Sequence, residues 1–265
     1  MSISYKVGGR FGNNLFQYFA TKVIGKITNK KYVYKALFEK EIDEIEFENI
    51  YKNNICNIDN DIVLNGYFQK DFWITKEKEY TNSLLTENNN DRINDNYTVK
   101  DLVLSLKNLN KDYIELVKNT GTLVVHVRLD DFYHQGYNSE VIDPYFLRDY
   151  IETVMRENNI TKCVYIVDIL KKSWEVNYMN IILSIPNSVM LNNDMLTDFS
   201  LLYYSSNLMV CRSTFAWIAS ACSLHNKKIW LPVDSNINAN QKFNTLGDNT
   251  IVFVPSYMKF GGIFY

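Results

Sequence analysis

His126, Arg128, Asp130 and Asp131 fall within six residues, directly after the apolar run Leu123-Val124-Val125. A guanidinium can grip a phosphate with two parallel N–H bonds, and a neighbouring carboxylate can hold it in place or take up a proton. An apolar, β-branched run that feeds straight into charge describes a buried parallel strand whose carboxyl end opens on a crevice. Open α/β sheets place their ligands at that edge. The plainer alternative is a surface ion pair beside a hydrogen-bonded histidine. Asp131 is the first candidate for a proton acceptor; His134 and Glu140 are the others.

Three further segments carry chemistry. Gly8-Gly9-Arg10-Phe11-Gly12-Asn13-Asn14 lies where a strand gives way to a helix, and glycines there let backbone N–H groups approach an anion. No Lys-Ser/Thr follows, so it is not a P-loop, and its spacing is not that of a dinucleotide fingerprint. Arg212-Ser213-Thr214-Phe215-Ala216-Trp217 has the same strand-to-helix setting. Ser213 or Thr214 stands where a helix cap belongs, and Trp217 reads as core. Asp59-Asn60-Asp61 has the D-x-D pattern of metal-dependent sugar transferases, although Asn-Asp clusters also favour plain turns. His225, beside Asn226-Lys227-Lys228, reads as a helix-end residue.

The elements that must position these groups alternate in type. Strands are expected over Ile3–Val7, Tyr32–Tyr34, Ile62–Leu64, Leu123–Val127, Cys163–Val167 (ending at Asp168), Val189–Leu191, Leu208–Cys211 and Lys228–Leu231, the last stopped by Pro232. Helical spacing appears after Asn14, over Leu102–Val117, after Asp143-Pro144, over Trp174–Leu183, around Phe199–Tyr204 and over Thr214–Leu224. Such alternation means an α/β fold with mostly parallel sheets. Residues 39–48 are acidic and read as a solvated face or loop. Residues 86–96 read as linker or exposed loop, with Ile93 their only apolar residue.

Bulk properties exclude several classes. A net charge of −2 gives no basic field for nucleic acid. The four cysteines show neither close pairing nor zinc spacing and read as buried, reduced thiols. The N-terminus lacks a leader pattern, no apolar run is long enough to span a bilayer, and a cytoplasmic location is expected. On that view the sequons at Asn96 and Asn159 are chance matches.

Taken together, the segments resemble the alpha-1,2-fucosyltransferase family, glycosyltransferase family eleven. That family's Gly-Gly-x-Gly-Asn-Gln-x-Phe-Gln-Tyr signature is similar to the run from Gly8 to Tyr18, with one residue inserted after the glycine pair. The Gly-Arg-Phe-Gly-Asn form is itself similar to protein O-fucosyltransferases. Gly66-Tyr67-Phe68-Gln69 resembles the family's Gly-Tyr-Phe-Gln, and His126 to Asp131 its His-x-Arg-Arg-x-Asp box. Ser213 to Ile218 resembles its Ser-x-Phe-Ser-Trp-Trp box. Leu129 stands in place of the second arginine and Ile218 in place of the second tryptophan.

The resemblance implies a GT-B-like pair of Rossmann-type domains, placed at 1–118 (acceptor side) and 119–265 (donor side), with GDP-fucose bound between them. It implies metal-independent transfer of L-fucose with inversion, to a glycan hydroxyl such as galactose O2, and no cofactor. Arg128 and His126 match donor-box positions, and Ser213, Thr214 and Phe215 the second donor segment. Gly9, Gly12 and Asn13 match the loop over the pyrophosphate, and Asp198 an acidic position upstream. Arg128, Asp131 and His134 are the expected catalytic residues. The alternatives are a same-fold transferase for another nucleotide sugar, suggested by Leu129, an inactive nucleotide- or glycan-binding relative, and a metal-dependent transferase using Asp59 and Asp61.

Overall fold

The apolar runs become two sets of parallel strands. The structure is a computed structural model that describes residues 1–37, 40–87, 89–129, 141–211, 213–226 and 228–230, with the backbone of 233–234 and 253–254. It divides into two compact units, Met1–Lys107 and Asn108–Tyr265. The division precedes the expected boundary at 118 because the helix Lys111–Lys118 packs against Met195–Tyr204 and Thr122–Val127 of the second unit.

In the first unit the order is β1 (Ser2–Tyr5), α1 (Phe11–Thr28), β2 (Lys31–Tyr32), β3 (Lys40–Ile42), α2 (Glu44–Asn53), β4 (Ile62–Leu64), α3 (Asp71–Ile74), α4 (Lys78–Leu84) and α5 (Val99–Asn108). The strands lie β2-β1-β4-β3, all parallel, so β1 and β4 are central neighbours. Leu15, Phe16, Phe19, Val23 and Ile24 of α1 are buried, and Asn29 ends the helix in the left-handed conformation. Residues 40–48 present the expected solvated face but are not a loop. They supply β3 and the start of α2, which Asp43 caps through the Ile45 and Glu46 amides and which buries Phe47 and Ile50. The described residues of 86–96 form the expected exposed loop but not a free linker: Ile93 is buried, and the Ile93 and Arg92 carbonyls accept from the Tyr5 and Tyr32 hydroxyls.

The second unit continues with α6 (Lys111–Lys118), β5 (Thr122–Val127), α7 (Pro144–Glu157), β6 (Lys162–Val167), α8 (Ser173–Ile182), β7 (Ser188–Leu191), α9 (Met195–Tyr204), β8 (Asn207–Val210), α10 (Thr214–Cys222) and β9 (Lys228–Trp230). Val233–Asp234 and Phe253–Val254 form a separate two-stranded parallel ladder. The expected single helix over Leu102–Val117 is broken into α5 and α6, with Asn110 capping the second. Asp143 caps α7 and Pro144 opens it, as the sequence predicts. All five main strands are parallel in the order β7-β6-β5-β8-β9. This α/β architecture, with its two parallel sheets, matches the fold class read from the sequence.

The chain runs outward from β5 through β6 to β7 and then returns to the other side of β5 as β8. The direction of winding therefore reverses between β5 and β8, and a crevice forms outside the carboxyl ends of such a pair. Every residue of β5 is buried, with Leu123, Val125 and Val127 in the main core cluster.

Candidate functional site

At the carboxyl end of β5 the structure brings together most of the second unit's expected residues. Arg128 follows the strand directly and is half-buried. Leu129 is buried in the hydrophobic core against elements such as α7. The position where the related box carries a second arginine thus faces the core in this chain. His126 is 8% exposed, and its Nδ1 is buried with no hydrogen-bond partner among the described residues. Burial pushes its imidazole down to about 3, and the Arg128 guanidinium adds to the effect. At neutral pH it therefore offers a ring N–H and a lone pair, not a charge.

Across the winding reversal, β8 runs into α10. Ser213 sits at the N-cap backbone position, yet its hydroxyl makes no capping bond; it is buried without a partner among the described residues. The plain N-cap reading of this serine is therefore corrected. Thr214 and Phe215 open the helix, both half-buried. The Phe215 ring lies 5.6 Å from the His126 ring and 5.7 Å from the Phe199 ring, linking the two motif segments to α9. Asp198, beside Phe199 in the first turn of α9, is 8% exposed and accepts from Asn193 Nδ2 at 3.0 Å. Burial lifts its carboxyl to about 7; Asn193 opposes the rise, while Asp194 and Asp168 add to it. Asp168 directly follows β6, at the same carboxyl edge of the sheet.

In the first unit the glycine loop follows β1, and Gly66-Tyr67-Phe68-Gln69 follows the adjacent β4. The two loops are stitched together by side chains. Gln17 Nε2 donates to the Lys6 and Gly66 carbonyls at 2.8 and 2.9 Å. Asn14 Nδ2 donates to the Gly8 carbonyl at 2.9 Å, and Gln69 Nε2 to Asn13 Oδ1 at 2.8 Å. Glu44 Oε1 accepts from the Tyr67 and Phe68 amides at 3.0 and 3.2 Å, holding Phe68 at a positive φ of 55° while its ring is fully buried. Gly9 has φ +72°, and a Cβ there would lie 2.1 Å from Asn13 Nδ2, so the glycine leaves room for that amide. Gly12 is buried in the first turn of α1.

The helix starts show a pattern. α2, α6, α7 and α9 are capped by Asp43, Asn110, Asp143 and Asp194. Neither α1 nor α10 has a side-chain cap bond, and neither carries an acid in its first turn.

Asp130, Asp131, His134, Glu140 and Arg212 lie outside the described residues. Asp61 of the D-x-D run accepts from the Ser2 amide at 2.6 Å, a strand-end tie within the first sheet. Cys163, Cys211 and Cys222 are buried thiols as expected, but Cys56 is exposed. A hollow of about 500 Å³ beside β1 is lined by Lys6, Lys35 and Lys40, among others. Each of these lysines is ion-paired, to Glu41, Asp95 and Glu46 respectively. The sequence placed Gln17 and Gln69 inside family-like motifs but gave neither a role of its own, and it gave no part to Glu44. Gln17 carried a legible signal, a polar residue among the buried apolar positions of α1; Glu44 and Gln69 act across gaps in sequence that no spacing reveals.

Two parallel α/β units define this molecule, the second wound with the strand reversal that accommodates nucleotides in α/β proteins. No protein-family model matches the sequence, and no curated protein matches it. Among solved structures the chain is similar to a mutant of Arabidopsis thaliana FUT1 in complex with GDP, at 10% identity and a TM-score of 0.48, over 88% of this chain and 70% of that one. Among the described residues no helix is long and apolar enough to cross a membrane.

Proposed function

We propose that this chain is an inverting glycosyltransferase that moves L-fucose from GDP-fucose to a hydroxyl of a glycan acceptor. The observation that supports this reading best is the meeting of two motif segments across the β5/β8 reversal. His126 and Arg128 lie at the end of β5, and Ser213, Thr214 and Phe215 at the uncapped start of α10.

In the proposed reaction the acceptor oxygen forms a bond to the anomeric carbon as the bond from that carbon to the β-phosphate oxygen breaks. GDP leaves with the electron pair, and the acceptor proton passes to a base. Negative charge grows on the leaving phosphate. Arg128 would meet it with charge-assisted bonds, and the leading α10 amides with the Ser213 and Thr214 hydroxyls would supply further donors. Gly9, Gly12 and Asn13 have the parallel part on the first unit's loop. His126 and Asp198 supply neutral and acidic partners for the nucleoside. Asp131 or His134 would accept the proton. Leu129 faces the core, so the departure that suggested another donor concerns packing rather than phosphate contact.

The test is GDP binding and fucosyl transfer, or donor hydrolysis, measured in excess chelator. GDP at about 100 times its Kd should stabilise the chain by about 2.7 kcal/mol. Arg128→Ala should lose roughly 10²–10³ in kcat/KM, or about 2.7–4 kcal/mol of transition-state stabilisation. Arg128→Lys should also fail, because an ammonium cannot make the two-pronged contact. Near-normal turnover by Arg128→Ala would overturn the assignment, as would an absolute requirement for metal. A chain that bound GDP but turned over no donor would instead be the inactive relative.

A further inference from the structure

We infer that Gln69 is a positioning residue that fixes which end of the Asn13 amide faces the glycine loop. The inference rests on the proposed function for the meaning of that loop, but its geometry stands by itself.

Asn13 has one acceptor and one donor group on its side chain, and rotating the amide by half a turn exchanges them. Gln69 Nε2 donates to Asn13 Oδ1 at 2.8 Å, so the oxygen is engaged on the β4 side. Asn13 Nδ2 then lies over Gly9, 2.1 Å from the place a Cβ would occupy. The loop thus presents N–H donors beside the uncapped start of α1, the polarity an anionic diphosphate needs.

Gln69 is in turn held from behind. Glu44 accepts from the Tyr67 and Phe68 amides, and Trp73 Nε1 donates to the Phe68 carbonyl at 2.8 Å. These bonds fix Phe68 at φ 55°, a conformation costly for a bulky residue and kept only where the surroundings over-determine it. The backbone leading to Gln69 is therefore rigid, and its amide reaches Asn13 from a fixed base. The Gly66-Tyr67-Phe68-Gln69 turn acquires a role in polarising the neighbouring loop.

The experiment is GDP titration by calorimetry on the full chain, with thermal unfolding of each variant alongside. Gln69→Glu can only accept a hydrogen bond. It should draw Asn13 Nδ2 toward itself, leave the Asn13 oxygen over Gly9, and weaken GDP binding about 10-fold or more, the lower end of the range for lost outer-shell partners at metal sites. Gln69→Met, which merely releases the amide, should weaken binding less. In an Asn13→Ala background neither change should matter further, because the amide they act through is gone. Equal GDP affinity for wild type and Gln69→Glu would overturn the inference. So would losses that add fully to those of Asn13→Ala, or that only follow a fall in melting temperature. Should Gln69→Glu not fold, Gln69→Met with and without Asn13→Ala still decides the matter. If wild type bound no GDP the proposed function itself would fall and take this inference with it, a result distinct from binding that is blind to Gln69.

Discussion

His126 and Asp198 titrate in opposite senses, and their opposition gives the candidate crevice a signature in stability. Asp198 keeps its proton to about 7 in the folded chain but ionises near 4 when unfolded. Its contribution is complete below pH 4 and is lost as pH rises through 7. His126 is held down to about 3 when folded, against about 6.5 unfolded. Its contribution is complete above pH 6.5 and is lost as pH falls toward 3. Asp198→Asn should therefore gain stability relative to wild type as pH rises from 4 to 7. His126→Asn should gain as pH falls from 6.5 to 3. Each difference should reach on the order of 2–4 kcal/mol, read by urea unfolding at a series of pH values. Parallel slopes for the two variants would contradict the burial described. The residue types of this crevice were legible because charge follows an apolar run in sequence. The neutrality of His126 was not, because it depends first on burial, which only the assembled sheet brings about, and then on the Arg128 guanidinium.

Secondary elements decide which amides stay available to a ligand. Gly8 and Gly9 make the point at a single loop. A Cβ on Gly8 would meet nothing closer than Tyr67 Cε1 at 3.6 Å, whereas one on Gly9 would strike the Asn13 amide and sit at a positive φ. Gly9→Ala should thus cost about 1–2 kcal/mol of stability and weaken GDP binding at least about 10-fold, while Gly8→Ala leaves both nearly unchanged. Denaturant midpoints and GDP titration of the two variants give the comparison. Strand and helix alternation in the second unit could be read directly, since its buried strands are short, largely apolar runs. The first unit hid β3 and α2 because only Ile42, Phe47 and Ile50 of that acidic stretch are buried. Three apolar residues are too few to show a period against so many charges.

Across the whole molecule, burial of phenols is shared by both units. Tyr5, Tyr18 and Tyr32 pack around α1 and the 89–98 segment, with Tyr18 donating to Asp91 at 3.0 Å. In the second unit Tyr165 donates to the Ile182 carbonyl at 2.9 Å and Tyr178 to that of Ile142 at 2.8 Å. The aromatic content was plain in the sequence. Its disposition was not, for these hydroxyls find partners up to 88 residues away. Desolvation raises all five well above the ordinary phenol range. An acid whose folded pKa is raised stabilises the fold below its unfolded value and stops doing so as alkali is added. Above pH 10 the chain should therefore unfold cooperatively, and the share of tyrosinate absorbance owed to these five of its 19 tyrosines should appear in one step with unfolding, on top of the gradual titration of the rest. Alkali thus turns these five phenols into a built-in optical gauge of conformational integrity, one that needs no label.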